Sequence, residues 1–164
     1  MKKVMLLFVL MFASVVLYAQ DDDMTQEAKN YRAAFKTFLK EEGFSPYIDD
    51  EDGSLCFKRE GIQFWIYFSE DSPVYIEFHR AGLSGEDKET TAFYLAANDI
   101  NKDKRCAKAV VNDNDDVEFT VELYSTSVEQ LKGSFYRYLR VMSVAREYFT
   151  ERYNHYEEIL SNNR

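Results

Sequence analysis

Apolar residues recur along this chain in three rhythms, and each predicts an element. Between Thr25 and Glu42 they fall at Tyr31, Phe35, Phe38 and Leu39, the i, i+4, i+7, i+8 spacing of one helical face, with Lys and Glu opposite. Gly43 follows where a helix commonly stops. The rhythm then becomes alternating. Tyr47-Ile48, Leu55 to Lys58, Ile62 to Ser69 and Val74 to His79 read as four strands. Their connections are short: Asp49-Asp50-Glu51-Asp52-Gly53, Arg59-Glu60-Gly61 and a turn set by Ser72-Pro73. Connections of that length favour antiparallel hairpins, so this half reads as a meander.

The helical spacing returns over about Glu86 to Asn101, with Ser84 as the expected start and Phe93, Ala96, Ala97 and Ile100 as the apolar stripe. Cys106 to Val111 and Val117 to Tyr124 are the next two strands, joined by the acidic turn Asn112-Asp113-Asn114-Asp115-Asp116. The capping box Ser127-Val128-Glu129-Gln130 opens a last helix. It runs to about Leu160 and spans about 50 Å at the usual rise per residue. Leu131, Phe135, Leu139, Met142, Ala145 and Phe149 form its stripe. The order α-ββββ-α-ββ-α implies an α+β fold, with helices packed on one face of one antiparallel sheet.

Alternation divides the strand residues into two sets. Leu55, Phe57, Ile62, Phe64, Ile66, Phe68, Val74, Ile76, Phe78, Val117, Phe119, Val121 and Leu123 are all apolar and belong under the helices. The opposite set holds Lys58, Gln63, Glu77, Glu118, Thr120 and Glu122, together with Trp65, Tyr67, Tyr75, His79 and Tyr124. Large aromatics among charges are the composition of an interface, which makes those last five residues the candidate protein-binding face. Cross-strand aromatic pairing that only stabilises a wetted sheet accounts for the same residues. Tyr148, Tyr153, Tyr156 and Ile159 extend the last helix beyond what a small sheet needs, and form a candidate oligomer surface against a second copy, with ordinary core packing that frays after Tyr153 as the alternative.

The third rhythm is a nearly unbroken apolar run, Val4 to Val16, behind Lys2 and Lys3 and ahead of Leu17-Tyr18-Ala19 and Asp21 to Asp23. It is too short and wrongly flanked for a stable membrane span, and reads as a signal peptide over residues 1–19. That leaves residues 20–164, about 145 in all, as a single domain large enough for its own core. The expected address is the periplasm or the exterior. The formal charge is −9, and loss of Lys2 and Lys3 with the leader makes it −11. A chain this acidic repels phosphate backbones and anionic membrane surfaces, which excludes nucleic acid as a partner class. With 13 Phe, 12 Tyr and 2 Pro, the composition belongs to a packed globule.

No catalytic chemistry is visible. A hydrolytic triad needs a histidine beside a nucleophile, and His79 and His155 accompany none. Two separate cysteines and two separate histidines make no zinc site. Neither acidic turn has the ligand spacing of an EF-hand, and both read as hairpin turns, with weak calcium binding there left open. Cys56 and Cys106 both fall in expected strands, where an exported protein permits a bridge but where small buried thiols are equally at home.

Several short stretches, taken in order, resemble the YbjN family. They are Tyr47-Ile48-Asp49-Asp50-Glu51-Asp52-Gly53-Ser54-Leu55, Gly61 before a strand, and Asp71-Ser72-Pro73-Val74-Tyr75. Further on, Ala96-Ala97-Asn98-Asp99-Ile100-Asn101 is followed by Ala107-Lys108-Ala109-Val110-Val111, similar to the family's asparagine-bearing helix end and "AKA" strand. The leader and the absence of a glycine after Asp116 depart from the family pattern. The resemblance implies the type III secretion chaperone-like fold, protein–protein association and no catalytic residues or cofactors. The resulting expectation is a non-enzymatic, exported binding module, chaperone-like and homodimeric, with an unspecified protein or itself as partner. The alternative is a small-molecule-binding or enzymatic domain with a pocket between sheet and helices.

Overall fold

The computed structural model describes residues 24–69, 73–85, 88–112 and 114–163. The expected leader, residues 1–19, lies outside them. The elements are α1 (Gln26–Glu41), β1 (Tyr47–Ile48), β2 (Leu55–Arg59), β3 (Ile62–Phe68), β4 (Tyr75–Ala81), α2 (Thr90–Asp103), β5 (Lys108–Val111), β6 (Val117–Tyr124) and α3 (Val128–Asn162). This is the order expected from the hydrophobic pattern. All strand pairs are antiparallel, in the spatial order β1-β2-β3-β4-β6-β5.

Local chemistry sets most boundaries. The Thr25 hydroxyl accepts the Ala28 N–H and starts α1, and the Ser127 hydroxyl accepts the Gln130 N–H and starts α3. Glu60 and Gly61 both have positive φ (53° and 79°) between the paired residues Arg59 and Ile62, the tight turn whose twist suits a two-residue hairpin. The acidic connections are held by their own side chains. Asp49 accepts the Glu51 N–H, Asp52 accepts the Ser54 N–H, and Asn112 accepts the N–H groups of both Asn114 and Asp116.

Two boundaries differ from the sequence expectation. α2 begins at Thr90 instead of near Glu86, with Glu89 and not Ser84 in the capping position and no side-chain cap. The cause is tertiary. Val117 N–H donates to the Leu83 carbonyl and Gly85 N–H donates to Asp116, which hold this segment extended against the start of β6. Gly82 passes so close that a Cβ there would meet the Val117 carbonyl oxygen at 2.2 Å. The fifth strand starts at Lys108, the first residue with a partner on β6, so Cys106 lies outside it and is exposed. Cys56 is buried, and both thiols are free.

The helices cover one face, and the core lies between. Phe135 of α3 is its aromatic centre, within 5.1–5.9 Å, ring centre to ring centre, of Phe35, Phe38, Phe44, Phe57 and Tyr136. Phe93 on α2 and Phe119 on β6 meet Phe149 edge-on at the other end. Each such ring, fully buried, contributes roughly 1.5–3 kcal/mol. Asn101 ties α2 to β5 by accepting the Ala109 N–H at 2.9 Å and donating to its carbonyl at 3.1 Å. Among the described residues one buried charge breaks the apolar character of this inner face. Arg80, two positions after Phe78 on β4, is 4% exposed.

Candidate protein-binding face

Pleating brings the outer side chains of neighbouring strands into rows. One row crosses the whole sheet: Tyr47, Cys56, Trp65, His79, Thr120 and Lys108. The next holds Tyr67, Glu77 and Glu122, and beyond it Tyr75 faces Tyr124. Among the described residues no helix lies on this side. Tyr124 is 64% and Tyr47 47% exposed, while Trp65, Tyr67, Tyr75 and His79 are half-buried in one another.

His79 organises the centre. Its ring stacks on Trp65 (5.7 Å, 23°) and receives the edge of Tyr67 (5.0 Å, 78°). Its two nitrogens each lie 3.2 Å from a carboxylate, Nδ1 from Glu118 and Nε2 from Glu77. Both carboxylates are served together only when both ring nitrogens carry hydrogen. The hydrogen bond from His79 holds the Glu118 carboxyl below its ordinary pKa against the opposing effect of burial, helped by the Asn112 amide at 3.1 Å.

The flanking tyrosines are fixed in the same way. Tyr67 donates to Asp52 (2.8 Å), and burial together with that carboxylate pushes its phenol well above the usual range. Tyr75 donates to Glu122 (2.7 Å), which raises its phenol similarly. Glu122 is held low by Lys108 first and by Tyr75 second. Burial would raise Asp52, but hydrogen bonds from Ser54 and Tyr67 outweigh it. The aromatic surfaces are therefore locked in place before any partner arrives, which reduces the ordering cost of binding. Beside Trp65 a depression of about 180 Å³, lined by Leu83, Asn112, Val117 and Glu118, indents the face. The structure thus brings all five candidate residues onto one surface: Trp65, Tyr67 and His79 form a connected cluster, and beside it Tyr124 tilts against Tyr75 at 5.0 Å.

The candidate oligomer helix is placed differently. Tyr153 is buried against Phe93 of the chain's own core and its hydroxyl donates to Glu157. Tyr148 donates to Asp103 and lies under the Lys104 ammonium at 3.7 Å. Tyr156 donates to Asp99, which also takes the Arg152 guanidinium. These three tyrosines bind α3 to α2, and Ile159 stays 42% exposed. Among the described residues no group of three or more His, Cys, Asp and Glu is arranged to hold a metal ion, and no helix is long and apolar enough to cross a membrane.

Sequence reasoning overlooked Tyr47 and Cys56 as members of the outer row, and Arg80 altogether. Ending β4 at His79 hid it. Extending the alternation by one residue places an arginine in line with Ile76 and Phe78.

No family model matches the chain, and no curated protein matches it. A chain of the HopA1–SchA chaperone–effector complex is similar in structure, with a TM-score of 0.52 and 12% sequence identity, over 76% of this chain and 98% of that one. The likeness is one of fold. The α+β architecture, helices on one face of an antiparallel sheet, is the one expected from the sequence.

Proposed function

We propose that this chain is a non-enzymatic binding module that holds a protein partner on the outer face of its sheet. The carrying observation is the preorganised cluster of Trp65, Tyr67 and His79, with the Tyr75–Tyr124 pair beside it, left uncovered by the described helices and flanked by the exposed Tyr47. A fold shared with a chaperone–effector complex supports the reading, although fold by itself does not assign function. The leader-like first residues support export, and self-association through the end of α3 is a second mode of the same proposal.

The test uses a photo-reactive amino acid at Tyr124, with Glu147 on the helical side as control, in cells that make the full chain. Adducts to a protein should form at Tyr124, be absent at Glu147, and disappear when Trp65 and Tyr67 are both changed to Ala. Adducts that survive the double substitution exclude this face. Trp65 is the sole tryptophan, so its emission should shift to shorter wavelength when a captured partner is added back. Export is tested by mass spectrometry of the chain recovered from an envelope fraction, where the mature N-terminus should fall close to Gln20. A chain retaining Met1 in the cytoplasm ends the exported reading.

A further inference from the structure

Arg80 is the one buried charged side chain in the sheet's inner face among the described residues, between Phe64 on β3 and Phe119 on β6. Its Nε and Nη1 are buried and have no hydrogen-bond partner. A guanidinium does not shed its proton in a protein, and buried ones are ordinarily matched by a carboxylate. No ion pair reaches this one among the described residues. The charges that act on it are Arg146, which opposes its charge, and Glu147, which favours it, both from α3.

The group is not sealed in. It lines a half-open cavity of about 380 Å³ between the β2–β3 hairpin and the middle of α3. That volume lies in the range of small-ligand sites. Ile62, Phe64 and Leu139 give the cavity apolar walls, and Arg59, Arg140 and Tyr136 stand around it. Its single carboxylate, Glu60, is already turned to Arg59 at 3.5 Å and is largely exposed. Tyr136 is committed to Glu42 by its hydroxyl, and the Ser143 hydroxyl donates to the Leu139 carbonyl. Three arginines and one glutamate thus leave this pocket positive in a chain whose net charge is −9. Such a reversal of sign in a low-dielectric cleft concentrates anions there.

We infer that this pocket binds a carboxylate carried on an apolar body, with the carboxylate paired to Arg80 and the body packed against Ile62, Phe64 and Leu139. One negative charge neutralises the one buried guanidinium, and the fork of guanidinium donors matches a planar carboxylate. A phosphate brings no apolar body to cover Ile62, Phe64 and Leu139. The site lies on the opposite side of the sheet from the protein-binding face and does not depend on it. The carboxylate has two sources, a free aliphatic or aromatic acid or the carboxylate of a peptide segment.

The experiment is ¹⁵N-detected titration of the arginine Nε–H signals in the full folded domain. The probes are hexanoate and 3-phenylpropionate, the matching amides, acetyl-Leu-Phe with a free or amidated C-terminus, and inorganic phosphate. The Arg80 signal, assigned by its loss in Arg80→Lys, should shift and saturate with the carboxylates and stay still with their amides. Arg80→Lys should weaken binding at least tenfold, and Arg80→Met should abolish it while circular dichroism stays unchanged. A shift with the peptide acid alone identifies a protein segment as the source, and a shift with the small acids identifies a free ligand. No shift with any carboxylate at 10 mM, or a shift with phosphate alone, overturns the inference. The wild-type titration decides the matter even if Arg80→Met fails to fold.

Discussion

The two faces of the sheet treat buried charge in opposite ways. On the outer face the ionisable groups at the centre have partners: His79 two carboxylates, Tyr67 and Tyr75 one each, Glu122 a lysine. On the inner face Nε and Nη1 of the buried Arg80 have none among the described residues. The wetter face is thus electrostatically complete and the drier one is not. A completed network rigidifies a surface and presents its rings to a protein. An uncompensated charge beside a cavity is an unfinished pair, and its second half comes from outside.

The comparison is broken most severely through the core on which both faces rest. Phe135→Ala removes the ring that five others touch and should cost about 3–5 kcal/mol, measured by urea unfolding. A loss under about 1 kcal/mol would mean that the aromatic centre repacks without penalty. The next effect has the opposite sign. Arg80→Met should stabilise the ligand-free domain by about 1–4 kcal/mol, since it removes a desolvated charge and keeps the volume. Destabilisation instead would mean that Arg80 has a partner in solution.

On the outer face the sign reverses again. His79→Ala leaves Glu77 and Glu118 without their shared donor and should cost about 1–2 kcal/mol in the same unfolding assay. A graded counterpart comes from pH. Glu118, Glu122, Asp52 and Asp99 all titrate below their ordinary values in the folded chain. On acidification the unfolded chain therefore takes up protons first. The stability they contribute is full above the ordinary carboxylate values of 4.5 and 3.8 and is lost as pH falls through the folded ones. Melting temperature should drop steadily below about pH 4.5, and less steeply in Glu118→Gln. A profile flat down to pH 3 would contradict the hydrogen-bonded geometry. The smallest effect on stability, within about 0.5 kcal/mol, belongs to Ile159→Asp. Light scattering then decides whether the end of α3 self-associates: a dimer that becomes a monomer places the contact there, and an unchanged mass removes it.

Much of the architecture was legible because the hydrophobic spacing is regular. The stripes Phe93, Ala96, Ala97, Ile100 and Leu131 to Phe149 are all buried as their periods require. The five aromatic residues of the outer face could be grouped for the same reason, since alternation assigns a side without knowledge of strand order. The failures fall where a long-range contact overrides a local signal. Ser84 is a good helix starter, but Leu83 and Gly85 are held by β6 and cannot begin a helix. Tyr153 looked like surplus surface, yet α2 passes close enough to bury it.

The sequence by itself determined which elements form, which side of each strand is apolar and which chemistries are absent from its motifs, because periodicity and spacing act over a few residues. The order β1-β2-β3-β4-β6-β5 was decided only by the tertiary structure. That order sets Glu118 of β6 beside His79, whose other carboxylate partner, Glu77, is its neighbour along β4, and sets Arg80 between two phenylalanines. Those pairings join residues up to 39 positions apart. Whether a charge is satisfied depends on what lies within a few ångströms, and packing alone sets that distance.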